Sequence, residues 1–202
     1  MLINSMKFFF FFFKQKTAYE IVQELGAAPD YLCIPVGNAG NITAYWLGFR
    51  EAHDLGWADT KPKMMGFQAE GAAPIVKGEP VSEPESVASA LKVGNPASWK
   101  GAVDARDESG GVIESVSDRE ILEDYRAMAR RGGIFCEPAS AASVAGLLKL
   151  SRDGVHLKGK RVVCVITGSG LKDPDVAADL EPLSMREYPA DQGAVEKALS
   201  RT

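Results

Sequence analysis

The sequence predicts an α/β domain built on a largely parallel β-sheet. Apolar, strand-like runs alternate along the chain with amphipathic segments of helical period, the pattern expected of strands joined by helices. The last apolar run, at 161–166, is nearly continuous, as is typical of a strand covered on both faces. Hydrophobic residues make up 46% and charged residues 25% of the 202 residues. This balance is ordinary for a globular protein and excludes disordered, collagenous and coiled-coil classes.

The hydrophobic periodicity predicts the elements in chain order. Ile42, Tyr45, Trp46 and Phe49 are spaced at i, i+3, i+4 and i+7, which marks one face of a helix. Ser117 or Asp118 is predicted to cap another helix. Helices are predicted at 17–25, 41–55, 85–93, 98–106, 118–131 and 138–150, and strands at 31–36, 63–69, 111–117 and 161–166.

Other segments carry weaker patterns. Segment 71–82, rich in proline and glycine, is predicted to be a loop. Residues 133–136 form a further short apolar run, and the polar sequence after Pro174 predicts a frayed tail.

The N-terminal residues 1–14 are atypical. Six consecutive phenylalanines occupy positions 8–13 and match neither the helical period nor the strand period of two. The apolar block is too short for a membrane span and lacks the cleavage site of a signal peptide. We therefore expect no evolved structure there, and our hypothesis is that the block is a sequence artefact.

Charge and cysteine content exclude several classes of partner. The net charge is −4 and the sequence pI is about 5.3, so the broad basic face of a nucleic-acid-binding protein is missing. The three cysteines are an odd number without CxxC spacing, and each lies in or beside an apolar run. This pattern predicts buried, reduced thiols and a cytoplasmic location.

Candidate binding residues follow the predicted strands, because ligands of such sheets bind beyond the carboxyl ends of the strands. After the first strand comes the segment 37–41, GNAGN, and then a helix. Two glycines let backbone N–H groups converge, and the helix N-terminus adds partial positive charge. The segment is either a phosphate cradle or a tight turn that binds nothing. It is not a Walker A loop, because no Gly-Lys-Ser/Thr follows.

Two further segments end predicted strands or apolar runs. Thr167 begins the sequence TGSG after the strand at 161–166. It is interpreted either as a hydroxyl presented to a ligand or as a helix cap, and Asp173 in place of a third glycine argues against a dinucleotide site. Glu137 precedes Pro138 at the start of a small-residue helix and either faces a site or is a solvated glutamate.

These motifs together resemble threonine synthase, a pyridoxal-phosphate enzyme of fold type II. The matching segments include PVGNAGN (35–41), ESGGVIESVSDREI (108–121), EPASAAS (137–143) and TGSGLKD (167–173). The resemblance implies a three-layer α/β domain with a largely parallel sheet flanked by helices, present here as an incomplete large domain. It divides the chain into the atypical segment 1–14, a partial cofactor-binding domain at 15–175 and a C-terminal tail at 176–202.

The resemblance also implies the cofactor and its contacts. Pyridoxal 5′-phosphate would be held at its phosphate by the loop 37–41 and would meet the Thr167 hydroxyl at its pyridine nitrogen, leaving that nitrogen largely unprotonated. The family reaction converts O-phospho-L-homoserine and water into L-threonine and phosphate. The implied cofactor-binding residues are Gly37, Asn38, Ala39, Gly40, Asn41 and Thr167.

The chain departs from the family pattern at three places. The family's Schiff-base lysine lies in an SFKDR-type motif that this sequence lacks, so no catalytic residue is nominated and the chain is expected to be inactive alone. Asn4 and Ser5 resemble the start of a segment, NS-x-NPxR, that helps to bind substrate phosphate, but the Asn-Pro and arginine are replaced. Ser169 stands where relatives carry a larger polar residue.

Two other functions remain open on the sequence alone. One is a threonine or serine dehydratase-like lyase of the same fold, and the other is a non-catalytic phosphate-binding module. The expected partner is a small-molecule substrate and not nucleic acid or a membrane. A homodimer is implied by the family resemblance.

Overall fold

A computed structural model of the protein describes residues 7–12, 18–180 and 191–199. The strands are β1 (Lys7–Phe12), β2 (Tyr31–Pro35), β3 (Lys63–Ala69), β4 (Val112–Val116) and β5 (Arg161–Ile166). The helices are α1 (Ala18–Leu25), α2 (Gly40–Asp54), α3 (Pro74–Lys77), α4 (Trp99–Ser109), α5 (Asp118–Gly132), α6 (Pro138–Arg152), α7 (Pro174–Leu180) and α8 (Gln192–Leu199).

The described strands form one sheet in the order β1-β5-β2-β3-β4. Every pairing among them is parallel, as predicted. The chain crosses the sheet from β2 through β3 to β4 and then returns to place β5 on the other side of β2. The carboxyl ends of β2 and β5 therefore flank a topological switch point, where open α/β sheets form their binding crevice.

Helices cover both faces of the sheet, which confirms the three-layer prediction. Side chains alternate along β5: Cys164 and Ile166 join the core that includes α5 and α6. Val163 and Val165 point the other way, into the core that includes α1, α2 and α4. Burial on both faces explains why this strand is apolar at consecutive positions.

The helix predicted at 85–93 is wrong. Only a short 3-10 turn forms there, at Ser89–Leu91. The Asp118 carboxylate accepts hydrogen bonds from Ser86 Oγ (2.6 Å) and from the backbone N–H of Val87 (3.1 Å). These contacts with a residue distant in sequence hold the segment in another conformation and override its local helical preference.

The predicted loop at 71–82 contains one helical turn, α3. Gln68 on β3 is fully buried, and its Oε1 accepts from the backbone N–H groups of Ile75 (2.9 Å) and Val76 (3.2 Å). A strand side chain thus satisfies the first N–H groups of this turn, a role that local sequence does not reveal.

The expectation that the phenylalanine block fits no strand is wrong for β1, whose Lys7–Phe12 pair in register with Arg161–Ile166. A period of two marks half-exposed strands, whereas strands in parallel sheets are often continuously apolar. The expected frayed tail is likewise wrong where the structure describes it, since α7 and α8 are helices. Residues 1–6, 13–17, 181–190 and 200–202 lie outside the described residues.

Candidate functional site

A cavity of about 450 Å³ opens at the carboxyl ends of β2 and β5. It brings together the segments that follow these two strands and the start of α6, which confirms that the sheet's carboxyl edge is where the predicted residues meet. The lining residues are Pro35, Gly37, Asn38, Ala39, Gly40, Asn41, Ala90, Leu91, Glu137, Ala139, Thr167 and Lys172.

All six residues predicted to contact a cofactor line this one cavity. The two residues predicted to contact substrate, Asn4 and Ser5, lie outside the described residues. The cavity wall is mixed in character, with glycine, asparagine and alanine on one side and Glu137, Thr167 and Lys172 on the other.

Gly37 lets the loop approach its neighbour closely. A Cβ at this position would lie 2.3 Å from the backbone oxygen of Ala90, a distance that no side chain can occupy. Gly40 is different, because a Cβ there would meet nothing closer than Ser98 Oγ at 3.9 Å. The first glycine of the loop is therefore required by packing, and the second is not.

The loop ends at Ala39, whose φ of 65° and ψ of 1° place it in the left-handed region. This conformation is unusual for a residue with a side chain, and residues that adopt it cluster at functional sites. Ala39 is the N-cap residue of helix α2, and among the described residues it makes no side-chain cap hydrogen bond. The N–H groups of its first turn have no acceptor within the helix and carry its partial positive charge, so they can bind an anion at the cavity.

Asn38 connects the loop to residues 97 and 98, which precede α4. Its Oδ1 accepts from the backbone N–H of Ala97 (2.7 Å), and its backbone oxygen accepts from that of Ser98 (3.2 Å). Because the carbonyl half of the side chain is used in this way, the NH₂ group is the half that can donate to a ligand.

On the opposite wall, three side chains form a hydrogen-bond network. The Thr167 hydroxyl donates to Oε1 of Glu137 (2.9 Å) and lies 3.0 Å from Ser140 Oγ. Ser140 Oγ also accepts the backbone N–H groups of Thr167 (2.8 Å) and Gly168 (3.0 Å). The network fixes the turn that follows β5 to the first turn of α6.

Glu137 is 3% exposed, and Lys172 Nζ lies 3.5 Å from its Oε2. Of the two interpretations open on the sequence, the structure supports the one in which Glu137 faces a site. Gly168 makes this pair possible, because a Cβ there would lie 2.5 Å from Glu137 Cδ and 2.6 Å from Lys172 Nζ.

Sequence reasoning missed Lys172, Ala90 and Leu91 as wall residues, and it missed Ser140 as the buried side chain that holds Thr167. The small-residue helix start after Pro138 was a usable signal for Ser140, because small residues permit close approach. No local signal pointed to Ala90 and Leu91, since they belong to the segment whose helix prediction failed.

The cysteines are free and buried, which confirms the prediction of buried thiols. Burial raises the pKa of the Cys136 thiol to about 12. Burial and a hydrogen bond with Cys164 raise the pKa of Cys33 well above its usual range. High thiol pKa values disfavour the nucleophilic thiolate, so Cys33 and Cys136 are structural.

The described residues lack two other kinds of feature. No group of three His, Cys, Asp or Glu side chains there is placed to hold a metal ion. No helix among them has the length and apolar character needed to cross a membrane.

Solved structures similar to this chain show its fold. A threonine deaminase from T.th. aligns with a TM-score of 0.59 at 18% identity, over 75% of this chain and 55% of that one. A fungal L-serine ammonia-lyase from Rhizomucor miehei aligns with a TM-score of 0.63 at 21% identity, over 80% and 53%. At these identities the likeness concerns architecture alone.

Curated relatives are much closer in sequence. A threonine synthase of Synechocystis sp. is 57% identical over 176 residues, 87% of this chain and 46% of that protein. A threonine synthase of Mycobacterium tuberculosis is 55% identical over 186 residues, 92% of this chain and 51% of that protein. The chain thus spans about half the length of the curated relatives it matches.

The family model described as pyridoxal-phosphate dependent enzyme matches residues 8–168. This region contains both segments that meet at the cavity, the loop after β2 and Thr167 after β5. The chain therefore belongs to the family of pyridoxal-phosphate dependent enzymes.

Proposed function

We propose that this chain forms the cofactor-binding part of a threonine synthase, which converts O-phospho-L-homoserine and water into L-threonine and phosphate. The observation that carries the proposal is sequence identity of 45–57% to threonine synthases over nearly the whole chain. Fold neighbours that deaminate threonine or serine are only 18–21% identical, so a dehydratase function has weaker support.

The loop at 37–41 fits the phosphate of pyridoxal 5′-phosphate. Its backbone N–H groups and the uncapped start of α2 offer donors and positive potential without a basic side chain. The Asn38 NH₂ group and the exposed Asn41 side chain add donors at the same wall of the cavity. Gly37 packs closely against the backbone of Ala90, and this contact fixes the position of the loop.

Thr167 fits the ring nitrogen of the cofactor, because its hydroxyl lines the opposite wall and is held in place by Glu137 and Ser140. When bound, pyridoxal phosphate supplies the electron sink for the reaction. The chain's own residues would bind its phosphate, orient its ring and hold the hydrogen bond at its nitrogen.

The other expectations are part of the proposal. The substrate is a small phosphorylated amino acid, and neither nucleic acid nor a membrane is a partner. Homodimeric assembly follows from the family resemblance. A cytoplasmic location is supported by three buried, unpaired thiols, which are typical of a reducing compartment.

A chimera tests the activity directly. Residues 15–202 would be fused to the part of the Synechocystis threonine synthase that precedes the matched region, which by the resemblance carries the Schiff-base lysine and the NPxR segment. We expect the chimera to release phosphate from O-phospho-L-homoserine and to form threonine. A matched chimera that keeps residues 6–13 in place of NPxR should be less active, because it lacks the arginine that would bind the substrate phosphate.

The competing functions give different results in the same experiment. A soluble, cofactor-loaded chimera that deaminates threonine or serine but releases no phosphate from phosphohomoserine would contradict the proposal and favour the dehydratase. A chimera that binds the cofactor and transforms none of these substrates would favour the non-catalytic module.

A further inference from the structure

We propose that a small cavity between α5 and α7 is a second ligand site, which binds an apolar monocarboxylate. The cavity has a volume of about 190 Å³ and shares no lining residue with the larger cavity at the carboxyl ends of β2 and β5. Cavities for drug-sized ligands are larger, about 300–1,000 Å³, so this one suits a smaller molecule. Its lining residues are Tyr125, Arg126, Ala129, Arg130, Phe135, Ala177 and Leu180.

Phe135 forms a fixed apolar part of the wall. A Cβ at Gly170 would lie 2.5 Å from its ring, and its backbone oxygen accepts from the Gly170 N–H at 3.1 Å. The phenylalanine is nevertheless 43% exposed. The ring is thus held in place without being covered, and it leaves an aromatic surface on which an apolar ligand can pack.

Tyr125 supplies a hydrogen-bond donor that lacks an acceptor. The residue is 5% exposed, and within the described part of the chain its buried hydroxyl has no hydrogen-bond partner. Burial, followed by the charges of Cys136 and Asp173, raises the pKa of Tyr125, so the hydroxyl keeps its hydrogen at neutral pH. Buried polar groups nearly always have a partner in folded proteins. An acceptor on a bound ligand would supply the missing one.

Two guanidinium groups give the cavity its positive charge. Arg126 and Arg130 lie one turn apart on α5, and no acidic residue lines the cavity. Arg126 is half-buried, and none of the ion pairs between described residues includes it. A guanidinium binds a carboxylate well because its N–H groups match the two oxygens.

These features together select one chemical class. A carboxylate has about four acceptor sites, so one group can accept from the Arg126 guanidinium and from the Tyr125 hydroxyl. A neutral apolar molecule would leave the hydroxyl unpaired, and a second charge on the ligand would lie against apolar walls, which is unfavourable. The cavity therefore fits a molecule with one carboxylate and an apolar body.

Phenylacetate is the probe for this site, because it joins one carboxylate to one aromatic ring. It is titrated into the full 202-residue chain at neutral pH, and binding is followed by saturation-transfer NMR of its ring protons. We expect saturable binding with a Kd of about 1 mM or below, as is usual for so small a ligand. Phenylacetamide has the same shape without the charge and should bind about tenfold more weakly, because hydrogen bonds to charged groups are stronger.

Three variants locate the site. Arg126→Gln should weaken phenylacetate binding by about tenfold and remove most of the preference for phenylacetate over phenylacetamide. Tyr125→Phe should weaken phenylacetate binding about two- to tenfold without lowering the stability of the free chain to urea, because the lost hydroxyl had no partner. Ala129→Leu adds a helix-compatible side chain at an exposed wall position and should abolish binding by filling the cavity.

Arg119→Gln is the matched control. Arg119 is an exposed arginine of the same helix that pairs with Glu123 at 3.1 Å and lies outside the cavity lining, so this variant should bind phenylacetate like the unsubstituted chain. Equal affinities for phenylacetate and phenylacetamide would overturn the inference, and so would unchanged phenylacetate binding in any of the three variants once folded. Absence of saturable binding by the unsubstituted chain would overturn it whatever the variants do. None of these measurements depends on the proposed cofactor site.

Discussion

The helices α2 and α5 both follow a parallel strand, yet their first turns are built in opposite ways. Ser117 caps α5 with a capping box: its Oγ accepts from the Glu120 N–H (3.3 Å), and the Glu120 carboxylate accepts from the Ser117 N–H (3.0 Å). Helix α2 begins at Gly40, and its N-cap residue, Ala39, makes no side-chain cap hydrogen bond. The cap of α5 satisfies the N–H of Glu120 in its first turn, whereas the first residues of α2 line a cavity.

This difference shows how a helix start that can bind a ligand is distinguished from one that is only structural. A side-chain cap stabilises a helix start and accepts a hydrogen bond from its backbone N–H groups. Fewer of these N–H groups are then free to bind an anion. An uncapped start with a left-handed residue costs stability and persists where the surroundings hold it. In α2 those surroundings are Gly37 against Ala90 and Asn38 against Ala97.

The largest effect on stability is expected from adding a side chain at Gly37, in the loop at 37–41. Gly37→Ala places a Cβ 2.3 Å from the Ala90 oxygen and should destabilise the fold by about 1–3 kcal/mol, the usual effect of overpacking. It should also weaken binding of a probe, 4-deoxypyridoxine 5′-phosphate, which resembles the cofactor but has no aldehyde to react with lysines. Urea unfolding and fluorescence titration measure the two effects. Gly40→Ala is the matched control for stability and should change the free energy of unfolding little, because its Cβ would meet nothing closer than Ser98 Oγ at 3.9 Å.

Removing the cap of α5 should have a smaller effect that leaves the cavity intact. Ser117→Ala should lower the free energy of unfolding by about 1 kcal/mol, the typical contribution of an N-cap side chain. Probe affinity should be unchanged, because Ser117 does not line the cavity. Reduced probe affinity in a fully folded Ser117→Ala chain would contradict the separation between the two helix starts.

The capping box should also give a pH dependence. Burial raises the pKa of Glu120, but hydrogen bonds from the Ser117 backbone and side chain and the charge of Arg152 outweigh it, so the pKa lies below the ordinary glutamate value of 4.5. The carboxylate therefore stabilises the fold above pH 4.5, and this contribution is lost as the pH falls through the folded-state pKa.

Glu120→Gln should accordingly cost about 0.5–1.5 kcal/mol at about pH 7, the net value of a hydrogen bond. The gap between the variant and the unsubstituted chain should narrow at low pH. Urea unfolding from about pH 7 to about pH 3 measures it, and a gap that stays constant over this range would show that ionisation of Glu120 does not contribute.

The smallest effect is expected at Ala39. Glycine adopts a positive φ without the roughly 1–2 kcal/mol steric cost of other residues, but loses about 0.5–1 kcal/mol through its greater freedom in the unfolded chain. Ala39→Gly should therefore stabilise the fold slightly, by about 0.5 kcal/mol, and leave probe affinity unchanged because the donors are backbone groups. Thermal unfolding with and without probe checks both statements.

Local sequence was sufficient to predict the elements that hydrophobic periodicity or a capping residue specifies. The strands at 63–69 and 161–166 were predicted to the residue, and Ser117 was one of two predicted caps for α5. The segments that meet at the cavity were also found, because strand ends in a parallel sheet share one edge. Hydrophobic periodicity and capping residues are both properties of residues that lie close together in the sequence.

Partners distant in the chain could not be found in this way. Asp118 holds Ser86 and Val87 out of a helix, Gln68 caps α3, and Lys172 pairs with Glu137 across the wall of the cavity. The Thr167 hydroxyl contacts Ser140 and Glu137, which lie 27 and 30 residues earlier in the sequence. Such contacts arise only when packing brings the groups within hydrogen-bond distance and excludes water, and at those positions tertiary contacts outweigh local preference.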